Sequence, residues 1–287
     1  MRMASIGGRA IVRCGDGYAD VAIASAGEFG PDPQEVLARW DAFARWARDF
    51  VARGRVPAAA RVDPGADAPW DPPVPRPAQI FAVGLNYRDH VAESGLEVPD
   101  TPAVFTKFPT SLAGHRQEVL LPEGSVDWEA ELVVVLGRRC HRATRETAWS
   151  HVAGLTVGQD LSERRLQLAG PAPQFSLAKS YPGFSPLGPE LVTPEEFTDP
   201  DDLELGCMLE DGEVLQKSRT SSMVFDVPAL IAHLSAVCPL LPGDLIFTGT
   251  PAGVGMGRNP RRFLSPGDVL VTWLEGAGSL RTPLRAS

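Results

Sequence analysis

"VDWEAELVVVLG", residues Val126–Gly137, decides how the chain is read. Its second half, Leu132 to Leu136, is an unbroken apolar run rich in β-branched residues, as in a buried strand. Its first half sets Asp127, Glu129 and Glu131 at every second position. Side chains at i and i+2 of a strand point to the same side, so Glu129 and Glu131 stand about 6 to 7 Å apart on one face, given a rise of about 3.3 Å per residue. Carboxylates that close repel unless one keeps its proton or a cation lies between them. The ordinary alternative is a solvated strand end, which suits Asp127 well.

Further along, a β-like run at 152–158 leads to Asp160 in "GLTVGQDLSERRLQ". An acid at a strand end is placed to reach a neighbouring strand, and Asp160 would complete a set of three hard oxygen ligands with Glu129 and Glu131. Such a set suits Mg²⁺, Mn²⁺ or Ca²⁺, and no His or Cys cluster argues for zinc. A turn or helix cap is the plainer reading of Asp160. In "GLNYRDHVAESG", His90 and Glu93 lie three apart and share a face of a short helix. A carboxylate that fixes an imidazole tautomer makes the histidine a competent general base for water; a surface helical pair is the bland alternative. Lys179 sits in the Pro/Gly/Ser-rich "FSLAKSYPGFSPLGP", where a lysine either stabilises an oxyanion or enolate or is simply solvated. "GDLIFTGTPAGVGMG" reads as a strand feeding a Gly-rich loop that offers backbone N–H groups to anions. It has neither P-loop spacing nor a Rossmann setting.

The 287 residues suffice for one large core, or a large core with a small appended domain. Apolar residues at 44% and charged residues at 22% are ordinary for a globular chain. A net charge of −9 without a Lys/Arg stripe argues against nucleic acid as a partner. "RNPRR", Arg258 to Arg262, is a local basic cluster, solvated or facing an acidic substrate. No apolar run approaches the roughly 20 residues that cross a bilayer, so no membrane partner is expected. The start lacks the apolar stretch of a signal peptide, and a cytoplasmic location is expected. The four cysteines, Cys14, Cys140, Cys207 and Cys238, form no CxxC pair, and neither a disulfide nor a zinc site is indicated.

Residues 1–30 read as a short antiparallel hairpin with a Gly-Asp-Gly turn at 15–17, and 32–54 as a helix ending on Gly54. A Pro/Gly-rich linker over 56–77 follows. The division is a small N-terminal domain, 1–72, and a catalytic domain, 73–287. In the second part β-like runs recur at 79–84, 103–106, 117–121, 130–136, 152–158, 203–209, 245–248 and 268–274, with helices only near 89–95 and 222–238. Many strands, few helices and 27 prolines predict a mainly β protein with α (α+β) rather than a doubly wound α/β sheet.

Over residues 78–283 the chain resembles the fumarylacetoacetate hydrolase (FAH) family. The resemblance rests on "GLNYRDHVAESG", "PAVFTKFPTSLAGH", "VDWEAELVVVLG", "TVGQDLSERRLQ", "LAKSYPGFSPLGP" and "LIFTGTPAGVGMG", in the family's order. It implies an FAH-type mixed β-roll catalytic domain with a small N-terminal domain, assembled as a homodimer. It implies Mg²⁺ or Mn²⁺, with Ca²⁺ as a crystallographic substitute, held by Glu129, Glu131 and Asp160. Asp127, on the same face by parity, is expected not to be a ligand. His90 and Glu93 match the family's water-activating pair on a mobile lid, and Lys179 its loop lysine. Arg164 and Gln167 match residues near the substrate, and Thr250 the threonine that faces the substrate carboxylate. The chain departs from the family where Arg165 replaces an acid, and where "KSYPGF" replaces the commoner "KSFDTF". Both changes make the local charge more positive, consistent with a small anionic oxo-acid substrate.

The activity expected from this resemblance is hydrolytic cleavage of a C–C bond in a 2,4-dioxo acid of acylpyruvate type. His90 and Glu93 activate the water, Lys179 and Gln167 stabilise the oxyanion, and a metal-held enolate leaves. The alternative on the same site is decarboxylation of oxaloacetate-like acids or keto–enol tautomerisation. A non-catalytic binding or auxiliary protein is the third class.

Overall fold

A computed structural model describes residues 1–65 and 67–287. The stretch quoted above forms the spine. Strand Ala130–Leu136 is buried at every residue. It lies antiparallel to Val152–Gln159 on one side and to Leu245–Phe247 on the other. Its alternating side chains feed two cores. Val133 and Val135 pack with Trp40, Phe43 and Ala47 of the N-terminal helices. Leu132, Val134 and Leu136 pack with Leu230, Ile231 and Leu234 of helix Val227–Val237. A strand covered on both faces has no polar side to show, so its sequence is continuous rather than alternating.

Among the described residues this spine belongs to a 12-stranded sheet. A five-stranded sheet contains Glu204–Leu209, Val269–Leu274 and Gly278–Ala286. The expected mainly β architecture with few helices is what forms. The Gly-Asp-Gly turn joins Arg9–Cys14 to Gly17–Asp20 as anticipated. Strand Arg2–Ile6 pairs with Arg9–Cys14 and also with Ser185–Val192, through Met3 opposite Leu191. The sheet thus runs across the composition change at residues 72 and 73.

Several segments differ from their sequence reading, among them strands Val214–Arg219 and Gly278–Ala286, which it does not anticipate. The single helix expected over 32–54 is two, Pro33–Ala38 and Trp40–Ala52. Arg39 leaves helical geometry at the break, its guanidinium donating to the Glu28 carbonyl and lying over the Phe29 ring. The helix expected from 222 begins only at Val227, where Asp226 caps it through the Ala229 N–H. Ser185–Val192 is a central strand that reads as a Pro/Gly loop. Pro186 and Pro189 cannot donate ladder hydrogen bonds, which normally keeps proline out of sheet interiors. Here only Leu155, Val157 and Gly158 of the neighbouring strand find partners, across an irregular register.

One buried group makes stability pH-dependent. His115 is 6% exposed, its Nδ1 has no hydrogen-bond partner among the described residues, and its ring centroid lies 4.8 Å from that of Trp70, edge-on. Burial, helped by Arg116, lowers its pKa from 6.5 to about 4. The unfolded chain therefore binds the extra proton first as pH falls, and stability is lost between pH 6.5 and 4, by on the order of 3 kcal/mol. His115→Gln, neutral throughout, is expected to flatten the urea-unfolding free energy across that window. A wild-type minus variant difference that is equal at pH 7 and pH 4.5 rejects this.

Candidate active site

Antiparallel pairing brings the acids together. Ala130 stands opposite Gln159, so the start of one strand meets the end of its neighbour. Glu129 and Glu131 flank Ala130, Asp160 follows Gln159, and the Asp160 N–H donates to the Glu129 carbonyl at 2.9 Å. Carboxylate oxygens of Glu129, Glu131 and Asp160 lie within 4.8 Å of one another. All three residues are buried.

Three cations hold this cradle. Lys179 donates from Nζ to Glu129 Oε2 and Asp160 Oδ2, each at 2.7 Å. Arg164 Nη1 lies 2.7 Å from Glu129 Oε1 and donates to Gln167 Oε1 at 2.8 Å. Lys107, fully enclosed, donates to Asp160 Oδ1 at 2.5 Å, to the Phe184 carbonyl at 3.2 Å and to the Lys179 carbonyl. Glu131 has no ion pair among the described residues and accepts only the Gly249 N–H, at 2.8 Å. Burial, then repulsion from Asp160 and Glu129, drives its pKa well above the carboxylate range. Burial also works to raise that of Glu129, but Lys179 and then Arg164 outweigh it and hold it low.

This donor set fits a divalent hard cation. Three oxygen donors converge without nitrogen or sulfur, and a third carboxylate that cannot easily ionise beside the other two is what a cation would relieve. Glu129, Glu131 and Asp160 are the residues that would hold it.

The dyad lies close by. Helix Arg88–Ser94 ends at Gly95, whose φ of 67° closes it in the left-handed region. His90 Nδ1 is 3.1 Å from Glu93 Oε2, and Glu93 Oε1 accepts the Gly253 N–H at 3.0 Å. Burial pushes the Glu93 carboxyl up, but the bonds from His90 and Gly253 prevail and its pKa is lowered. His90 is near enough to Glu129 to help lower that residue's pKa as well.

The Gly-rich loop binds anions, and they are the protein's own. Gly249 N–H serves Glu131, Gly253 N–H serves Glu93, and the Gly255 and Met256 N–H groups serve Asp127. Asp127 is not a solvated strand end: it is fully buried. The Thr250 hydroxyl donates to the Ala130 carbonyl and accepts from Gln216 Nε2, both at 2.9 Å, so it ties the loop to the spine. Lys179 is buried at the end of helix Phe175–Ala178 and is not a solvated loop lysine. Arg165 is exposed.

Sequence reading missed Lys107 and Gln216. The signal for Lys107 was a lone charge inside the apolar "AVFTKF". Gln216, which also accepts the Ala130 N–H, sits in the polar strand Val214–Arg219 and gave none.

Residues 79–285 match the family model described as fumarylacetoacetate (FAA) hydrolase C-terminal. The chain belongs to this family. Among the family's curated proteins it is 42% identical to the human "Oxaloacetate tautomerase FAHD2A, mitochondrial" over 230 residues, 79% of this chain and 73% of that one. Among solved family structures, a Mycobacterium smegmatis protein provisionally described as HpcE superposes with a TM-score of 0.92 at 55% identity, each chain covered in full. A maleylpyruvate hydrolase from Sphingobium sp. SYK-6, in complex with manganese(II) and pyruvate, superposes with a TM-score of 0.80 at 28% identity, again over both whole chains. Membership places the chain in a superfamily of hydrolases, isomerases and tautomerases. No helix of the described residues is long and apolar enough to cross a membrane.

Proposed function

We propose that this protein is a divalent-metal-dependent enzyme that interconverts the keto and enol forms of an oxaloacetate-type 2-oxo acid. The observation that carries the reading is the His90–Glu93 pair set beside a buried cradle of three carboxylates. The human relative's name favours tautomerisation over the hydrolysis that motif reading put first. When bound, Mg²⁺ or Mn²⁺ supplies Lewis-acid polarisation of the substrate's carbonyl oxygen. The rest falls to the chain. Glu93 fixes the imidazole through Nδ1, which leaves Nε2 to take a proton from the carbon beside the keto group and return it to oxygen. Two N–H groups of Lys179 are held by Glu129 and Asp160, and the third is left for a substrate oxygen.

Hydrolysis of an acylpyruvate is the second reading. The same nitrogen would deprotonate water, and the likeness to a maleylpyruvate hydrolase supports it. Following oxaloacetate enol content by ultraviolet absorbance, with and without Mg²⁺ or Mn²⁺, tests the first reading; release of pyruvate from acylpyruvates tests the second. Absence of metal-dependent acceleration in both assays would leave neither standing. Decarboxylation of oxaloacetate is read in the same samples as loss of total oxo acid.

A homodimer in the cytoplasm completes the proposal. Exposed Val104, Phe108, Leu168 and Leu177 are apolar surface suited to a partner copy, and four unpaired cysteines suit a reducing compartment. Sedimentation equilibrium at micromolar concentration is expected to show twice the chain mass; a single species at 30.8 kDa opposes it.

A further inference from the structure

The third acid of the opening stretch has a place that neither cradle nor dyad explains. Asp127 is fully buried, and both of its oxygens are occupied. Oδ1 accepts the N–H groups of Trp128 at 2.9 Å and Gly255 at 2.7 Å. Oδ2 accepts the Met256 N–H at 2.9 Å and Arg164 Nε at 2.8 Å. Each partner leads elsewhere in the site. Arg164 reaches on to Glu129 in the cradle. The loop of Gly255 and Met256 reaches on, through the Gly253 N–H, to Glu93 and so to His90. The glycines are part of the joint. A Cβ on Gly255 would sit 1.8 Å from the Arg262 carbonyl oxygen and 2.8 Å from Asp127 Oδ1. A Cβ on Gly257 would lie 2.5 Å from the Glu93 carboxyl carbon.

We infer that Asp127 is a positioning residue: by holding the 253–257 loop against Arg164, it sets where the His90–Glu93 dyad stands relative to the carboxylate cradle. It touches no reacting atom and acts through Glu93. An aspartate is required because all four of its partners donate. Asparagine of the same shape would turn an NH₂ group toward two of them, leaving the loop without its anchor. This inference rests on the proposed reaction only for its kinetic readout.

The test uses Asp127→Asn and Gly257→Ala, each alone and combined with His90→Ala. Gly257→Ala is the safer variant, because what its new methyl meets is the movable end of Glu93. Each single variant is expected to lower kcat by about 10- to 100-fold, as loss of an outer partner does, with KM changed much less. In the His90→Ala background Gly257→Ala is expected to be nearly silent and Asp127→Asn to lose most of its effect, because their path to the dyad is already removed. Amide hydrogen exchange provides a readout free of activity. Asp127→Asn is expected to speed exchange in 253–257 and in helix Arg88–Ser94, while strand Ala130–Leu136 stays protected. Rate losses that multiply with His90→Ala, or an Arg88–Ser94 helix whose exchange is unchanged, overturn the inference. If wild type turns over no 2-oxo acid, the reaction reading fails, and the exchange result still decides the role of Asp127.

Discussion

Glu131→Gln is expected to abolish metal-dependent turnover while leaving a more heat-stable apoprotein. The two effects have one cause. Glu131 is the cradle carboxylate with no ion pair among the described residues, and its pKa is raised by burial and by repulsion from Asp160 and Glu129. A carboxyl whose folded pKa exceeds its unfolded value weakens the fold increasingly as pH rises above the unfolded value, so at neutral pH the native residue is a liability. Glutamine keeps an oxygen for the Gly249 N–H and removes the charge. A gain of about 1 kcal/mol corresponds to a rise in Tm of roughly 2 °C in a chain of this length. Loss of one of three anionic ligands removes several kcal/mol of charge stabilisation, on the order of 10³-fold in rate. Calorimetry without metal, Mn²⁺ titration and a turnover assay cover the three quantities. A variant that binds Mn²⁺ as wild type does, and keeps activity within tenfold, would remove Glu131 from the ligand set.

His90→Ala is expected to slow turnover by about 10²–10⁴-fold, the usual cost of a positioned general base, with cation affinity little changed. His90 makes no hydrogen bond to the cradle carboxylates; its Nδ1 partner is Glu93. The comparison that discriminates is between enolisation or acylpyruvate hydrolysis, which need a base, and decarboxylation of oxaloacetate, which does not. The first two are expected to fall together and the third much less. Unchanged enolisation and hydrolysis at saturating Mg²⁺ would show that His90 is not the base, and the proton would have to be assigned elsewhere.

The sequence shows the spine and the cradle well because each is local. The run Leu132 to Leu136 announces a strand covered on both faces, and the i, i+2 spacing of Glu129 and Glu131 fixes their common side before any fold is known. Asp160 lies some 30 positions away and is joined to them only by strand pairing; its place at a strand end makes it a candidate, with a turn or cap left open, and the family resemblance adds the third ligand. What stayed hidden was whatever depends on contact between distant segments. Lys107 is 53 positions from Asp160, and nothing local says that its ammonium will be enclosed there. Gln216 looks like any polar strand residue until it is found between Ala130 and Thr250. A solvated strand end suits Asp127 locally because its partners Arg164, Gly255 and Met256 lie far along the chain. Ser185–Val192 failed for a different reason: two prolines outvote its apolar residues in any local scheme, and tertiary pairing decided otherwise.

The strand Arg2–Ile6 has Met3 opposite Leu191. During synthesis, strand Arg2–Ile6 must therefore wait for one of its sheet neighbours until Leu191, 188 positions beyond Met3, has been made. At about 5–20 residues per second that wait lasts on the order of 10–40 s. Throughout it Arg2 and Met3 of the hairpin carry an open edge, since Trp70 and Asp71 cover only Ser5 and Ile6, and such an edge is the kind of surface that pairs with other nascent chains. A nascent chain arrested before residue 190 should accordingly be a better chaperone client than one arrested after residue 200, even though both carry the same opening segment.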